Sequence, residues 1–302
     1  MRVACVGDNV VDIYPSRRLV FPGGNAVNVA VAARRAGAHA AYLGAIGTDR
    51  AASIVFDAVV DEDVDVSHLR VVAGPNAYCT IEVVDGERIF GAADIGVSRF
   101  SLDDDDLKYL AGFDLIHTGD NSMCEDRLAE MAAVAPLSYD FGERPPDYWR
   151  PLAPLVRVAC LSAGPLSREQ AEQLARDVAD VGPELVLVTE AARGAMVLAG
   201  GAVYRAEAVV TPVDTLGAGD SLIGCFLAGI TSGVKPADAL RAATEAAAAT
   251  CLHIGAFGHV TSYAADGPSD SQDHHWPTTF DRHGHPDRPL GVRASSPGGS
   301  GP

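Results

Sequence analysis

Lysine is nearly missing from this chain of 302 residues: only Lys108 and Lys235 occur. Neither follows a Gly-x-x-x-x-Gly, so a Walker-type phosphate loop is excluded. No Gly-x-Gly-x-x-Gly follows the first strand-like segment, which weighs against a dinucleotide-binding oxidoreductase. The six cysteines (Cys5, Cys79, Cys124, Cys160, Cys225, Cys251) show no Cys-x-x-Cys and no matched histidine spacing, and read as reduced core residues of a cytoplasmic protein. No apolar run approaches the roughly eighteen residues of a membrane span, and Met1–Gly7 reads as a strand rather than a signal peptide, so a soluble, unexported protein is expected. Positive charge is also scarce. With 23 basic against 40 acidic residues the formal charge is −17, which argues against nucleic acid or an anionic membrane as partner.

What is present is a run of small residues, Asp214-Thr215-Leu216-Gly217-Ala218-Gly219-Asp220, leading into Ser221–Ile230, which reads as an apolar helix. Gly217, Ala218 and Gly219 would offer backbone N–H groups at that helix's N-terminus, an anion site. Asp220 would repel a bound phosphate unless it is there to take a proton from an attacking hydroxyl. That pairing suggests phosphoryl transfer with Asp220 as general base. A tight turn and a first-turn aspartate favoured by the helix dipole account for the same residues without chemistry.

The chain opens with a strand at Val3–Val6, followed by Gly7-Asp8-Asn9-Val10-Val11-Asp12. Acidic and amide side chains at the carboxyl end of a first parallel strand stand where open α/β sheets bind ligands. Asp12 is the candidate for sugar hydroxyls; Asp8 and Asn9 are ligands or turn formers. Gly23-Gly24 lets backbone approach a ligand, Asn25 is positioned to cap a helix running to about Ala36, and Asn28 would point an amide at the same place. A hairpin is predicted across Asp85-Gly86 between Ala77–Val84 and Glu87–Phe90. Asp103–Asp106 reads as a capped, solvated helix start rather than a metal cluster. From Asp114 strands (114–118, 137–141, 156–161, 185–189) alternate with helices (125–134, 168–178), the pattern of a parallel sheet covered on both faces. From Ser262 the composition turns to Gly, Pro, Ser, Asp and His, too polar to offset the entropy of ordering. His274, His275, His283 and His285 lie there without the spacing of a metal site.

The motif Asp-Thr-x-Gly-Ala-Gly-Asp at 214–220 resembles the C-terminal signature of the ribokinase-like carbohydrate kinases, the PfkB family, at every fixed position. Gly-Gly-x-x-x-Asn at 23–28, with Gly37 and Gly47-Thr48-Asp49, resembles the N-terminal signature of the same kinases. More narrowly, Gly7–Pro15 and Phe21–Val31 resemble the branch that phosphorylates fructosamines such as fructoselysine on the 6-hydroxyl. The resemblance implies a three-layer α/β/α sandwich over residues 1–260 and a small β-sheet lid from about 13–20 and 77–97, with 261–302 a disordered tail. It implies Asp12, Gly24 and Asn28 on the sugar under the lid, with Asp8 and Arg88 as further contacts, although Arg88 on a hairpin is as readily solvated. It implies ATP and Mg²⁺, with Thr189, Gly194, Thr215, Gly255 and Ala256 on the nucleotide side. Asp140 resembles a family position near the phosphates or the magnesium, though burial or a turn would explain it equally. In relatives the Asp214 region often encloses a monovalent cation, which adds potassium at Asp214, and many relatives dimerise through the lid.

Two departures stand out. Ser162-Ala163-Gly164-Pro165 replaces the Asn-x-x-Glu that helps organise magnesium, leaving that ion to water and nucleotide phosphates. In Thr189-Glu190-Ala191-Ala192-Arg193-Gly194 a glycine of the family is Ala191, and Arg193 reads as a solvated turn residue. The expectation is a kinase for the 6-hydroxyl of a fructosamine; the alternatives are a kinase for another sugar or a nucleoside, and a silent sugar-binding relative.

Overall fold

The computed structural model describes residues 1–84, 87–207 and 210–262. The chain begins with β1 (Arg2–Val6), β2 (Val10–Tyr14), β3 (Leu19–Gly23), α1 (Asn25–Arg35), β4 (His39–Leu43), β5 (Ala45–Ile46) and α2 (Arg50–Asp61). Next come β6 (Arg70–Val71), β7 (Tyr78–Val84), β8 (Glu87–Asp94), α3 (Asp104–Leu110), β9 (Leu115–Gly119), α4 (Leu128–Val134) and β10 (Leu137–Asp140). After α5 (Pro146–Trp149) follow β11 (Val158–Ser162), α6 (Arg168–Ala179), β12 (Leu185–Thr189), β13 (Ala195–Ala199) and β14 (Ala202–Ala206). The described chain closes with α7 (Ala218–Thr231), α8 (Pro236–Thr250) and β15 (Thr261–Ser262).

Eight strands form the main sheet in the order β14-β13-β12-β11-β10-β9-β1-β4. Seven run in one direction; β13 alone, between β12 and the edge strand β14, is antiparallel to its neighbours. Alternation along β1 shows why helices must cover both faces. Val3 and Cys5 enter the core shared with α1, α2, α7 and α8, while Ala4 and Val6 enter the core on the opposite face with Leu128, Met131, Trp149 and Ala171. The predicted α/β/α sandwich is the one observed. Phe226 and Leu227 of α7 are fully buried in the first core, where truncation to alanine costs about 2–5 kcal/mol.

The lid is a second sheet, β15-β3-β2-β7-β8. The segment 13–20, read above as one lid strand, is the end of β2, a 3₁₀ turn at Pro15–Arg17 and the start of β3. Pro15 fixes φ and lacks the N–H a strand would need, and Arg18 reverses the chain in the left-handed region at φ 54°. The predicted hairpin of β7 and β8 is present; its Asp85-Gly86 turn lies outside the described residues. Thr261 and Ser262, assigned above to the tail, pair antiparallel with Val20 and Leu19. The remaining tail and its histidines lie outside the described residues.

The acidic run is only partly as expected. Asp103 caps α3 by accepting from Asp105 N and Asp106 N, at 2.9 and 3.0 Å. Asp106, however, is fully buried and pairs with Arg70 and with His68.

Candidate active site

The carboxyl ends of β1, β9 and β10 meet the N-termini of α1 and α7. α1 starts at Asn25 after Gly24, whose φ of +107° and missing Cβ let the chain pass against Asn9, where a Cβ would lie 2.6 Å from the Asn9 Cα. The expected cap from the Asn25 side chain is absent. Asp8 supplies it from outside the helix: its carboxylate accepts from Asn25 N at 2.8 Å, Ala26 N at 3.3 Å and Ser122 Oγ at 2.9 Å. Burial pushes the Asp8 carboxyl above its ordinary pKa against those donors. Asp8 thus holds the start of α1.

Relieved of capping, the Asn25 amide turns inward, and its Nδ2 donates to Asp220 Oδ1 at 2.8 Å and to Asp140 Oδ2 at 2.9 Å. Asn28 Nδ2, one turn on, donates to Asp220 Oδ2 at 2.7 Å. The Asn28 Oδ1 is buried and has no partner in the protein, an acceptor suited to a hydroxyl. α7 can lie this close to α1 because Gly224, one turn past Asp220, has no Cβ; one would lie 2.5 Å from the Val29 carbonyl oxygen. Asp140 sits at the end of β10, where burial first and the neighbouring charges of Asp220 and Asp120 next push its pKa up to about 7, against donors from Gly142 N and Asn25.

α7 begins at Ala218, three residues before the apolar segment, so Gly217, Ala218 and Gly219 are its N-cap and first turn. Gly217 takes the left-handed conformation at φ 72°, packed so tightly on Ala256 that a Cβ would lie 2.4 Å from it. The Ala218 N–H reaches the Thr215 carbonyl at 3.3 Å. Ala218 and Gly219 line a cavity of about 400 Å³ together with Thr189, Gly194 and Thr215. Gly255 and Ala256 are not in its lining. They back the loop from the other side: Gly255 N donates to Asp214 Oδ2 at 3.2 Å, and Ala256 packs on Gly217. Their place in the cavity is taken by Thr244, Ala247 and Ala248 of α8.

Asp214 is the fastener between loop and lid. Tyr14 OH donates to its Oδ2 at 2.9 Å and Leu216 N to its Oδ1 at 3.0 Å. Asp12 is buried on β2, two residues before Tyr14, its Oδ2 standing where a Cβ on Gly23 would lie 2.3 Å away. Arg88 stands in β8 opposite Val83; its side chain lies outside the described residues. Arg193 is not solvated. Its guanidinium donates to the carbonyls of Ala163, Gly164 and Leu166, tying down the loop that replaces the Asn-x-x-Glu segment. Among the described residues no group of three or more His, Cys, Asp and Glu could hold a metal ion. Asp140 is the carboxylate beside Asp220 that could contact a divalent ion carried by nucleotide phosphates and water.

Residues that sequence reasoning missed are Asn25 in this role and His117. The latter is a fully buried histidine in β9, and a titratable side chain in a central parallel strand was the available signal.

A pfkB family carbohydrate kinase pattern matches residues 3–260. The chain belongs to this family and is an ATP-dependent carbohydrate kinase. It is 36% identical to the fructosamine kinase FrlD of Bacillus subtilis over 279 residues, covering 90% of this chain and 98% of that one. It is 33% identical to the fructoselysine 6-kinase of Escherichia coli K12, over 84% and 99% of the two chains. Among solved structures it superposes on Arabidopsis thaliana ribokinase complexed with ribose and ATP, with a TM-score of 0.73 at 19% identity, over 87% and 96% of the chains. The fructokinase of Vibrio cholerae with fructose, ADP and calcium ion aligns with a TM-score of 0.69 at 24% identity, over 85% and 94%. No helix among the described residues is long and apolar enough to cross a membrane.

Proposed function

We propose that this kinase transfers the γ-phosphate of ATP to the 6-hydroxyl of a fructosamine such as fructoselysine, with Asp220 as general base. The observation that carries the chemistry is the Asp220 carboxylate, held on both oxygens by the Asn25 and Asn28 amides, one residue past the Ala218 and Gly219 that line the cavity. Amides orient a carboxylate without neutralising it, so it stays able to accept a proton. The substrate hydroxyl gives its proton to an Asp220 oxygen as its own oxygen bonds to the γ-phosphorus, and the bond from that phosphorus to the β–γ bridging oxygen breaks, releasing ADP. Backbone N–H groups of Gly217, Ala218 and Gly219 receive the charge on the transferring phosphoryl oxygens. Mg²⁺ arriving with the nucleotide neutralises phosphate charge. Asp12, Gly24 and the unpartnered Asn28 Oδ1 hold the sugar. The fructosamine specificity rests on the two relatives at 36% and 33% identity.

The same reading includes a homodimer through the lid. Ile89 and Phe90 of β8 are 53% and 62% exposed, an apolar pair of the kind that a second copy covers.

ADP release by the purified protein with MgATP, measured against fructoselysine, other fructosamines, fructose, ribose and adenosine, tests the proposal. Turnover confined to fructosamines is the expected result. Turnover of another member keeps the mechanism and discards the substrate, and binding without turnover discards the mechanism.

A further inference from the structure

The cleft contains two carboxylates from distant parts of the chain bridged by a single side-chain amide. Both Asn25 N–H groups are committed, one to Asp220 Oδ1 and one to Asp140 Oδ2. The arrangement holds only if the amide oxygen points the other way, because a flipped amide would set that oxygen against both carboxylates. Oδ1 lies 3.3 Å from His117 Nε2, and His117 Nδ1 lies 3.1 Å from Ser138 Oγ. His117 is fully buried, and burial pushes its pKa down to about 3, so the ring is neutral and carries one N–H. Since an amide oxygen only accepts, that proton is on Nε2, and Nδ1 accepts from the Ser138 hydroxyl. Gly119, next to His117's strand end, leaves the space: a Cβ there would lie 2.9 Å from Asn25 Oδ1.

We infer that Asn25 is a positioning residue for phosphoryl transfer, its amide locked by the buried His117–Ser138 pair so that it fixes the Asp220 carboxylate relative to the attacking hydroxyl. The inference rests on Asp220 being the general base. Its consequence is that two side chains of the sheet interior, neither reaching the substrate, set the turnover number.

The experiment is steady-state kinetics of the full chain with MgATP and whichever sugar of the panel the wild type turns over, using Asn25→Ala, His117→Gln, His117→Asn and Asp220→Asn, each with its melting temperature. Asn25→Ala lowers kcat by about tenfold or more and leaves KM for the sugar within about threefold, since orientation is lost and binding is not. His117→Gln extends an amide N–H to the Nε2 position and keeps kcat within about threefold, whereas His117→Asn reaches only the Nδ1 position and falls at least about fivefold below it. Equal kcat values for the two histidine variants, or an Asn25→Ala enzyme at wild-type kcat while Asp220→Asn is inactive, would overturn the inference and leave the base assignment standing. Near-normal turnover of Asp220→Asn sinks the base assignment itself. Should Asn25→Ala fail to fold, the glutamine and asparagine pair decides the question alone.

Discussion

Two groups of aspartates divide the labour in this molecule. Asp103 to Asp106 are consecutive and look at first in the sequence like a metal cluster; Asp140 and Asp220 are eighty residues apart and are bridged by one amide. The difference lies in what opposes each charge. Asp106 is buried against Arg70 and His68, and Asp105 pairs with Lys108, so this charge is matched by cations and serves the fold. Asp140 and Asp220 share the Asn25 amide, and Asn28 donates to Asp220 as well, neutral donors that fix the geometry of both carboxylates. Neutral amide donors lower the basicity of a carboxylate less than a full ion pair does, which suits the proton-accepting role proposed for Asp220.

The sharpest way to break the comparison is to neutralise one member of each group. Asp220→Asn keeps the size and hydrogen-bonding reach of the side chain but cannot accept the proton. Turnover should drop by about 10²–10⁴-fold with the melting temperature little changed, as ADP release and calorimetry would show. Asp106→Ala should do the reverse. Arg70 keeps Asp103 but loses its fully buried partner, which destabilises the fold by roughly 1–3 kcal/mol in a denaturant titration, while kcat per folded molecule stays at the wild-type value. Asp105→Ala, which removes the exposed pair with Lys108, should have the smallest effect of the three on both quantities.

A third prediction concerns pH and the buried histidine beneath the catalytic pair. His117 binds a proton in the unfolded chain below about pH 6.5 but resists it in the fold until about pH 3. In that window the unfolded state binds more protons, so stability is full above pH 6.5 and falls as the pH drops, by about 1.4 kcal/mol per pH unit from this group. His117→Gln has no such titration, and its stability between pH 6.5 and 4 should decline less steeply than that of the wild type. Identical slopes in urea melts would show that the ring is protonated in the fold and that its assigned tautomer is wrong.

Much of the site was legible because its chemistry is local. Gly217, Ala218, Gly219 and Asp220 are contiguous, and a helix N-terminus needs only its own neighbours to present N–H groups. The strand and helix alternation fixed the layers for the same reason, since burial on two faces leaves a one-dimensional trace. Asn25 was misread for a complementary reason. An Asn after Gly-Gly is a good local cap, but the cap came from Asp8, seventeen residues upstream, and that freed the amide for the cleft. The lid segment 13–20, taken from the family resemblance, is broken at Pro15–Arg17, where a 3₁₀ turn separates the buried residues of β2 from those of β3.

The sequence by itself determined the kinase class and singled out the loop and the aspartate proposed here as anion site and proton acceptor, because each is encoded in residues adjacent along the chain. Only the tertiary structure decided what orients that acceptor. Asn25, His117, Ser138 and Asp140 stand on one helix and two strands, and they meet only because parallel pairing sets His117 beside Ser138 and Gly224 lets α7 close on α1. Contacts of this kind carry no periodicity and no motif. They are fixed by packing, which a linear pattern does not record.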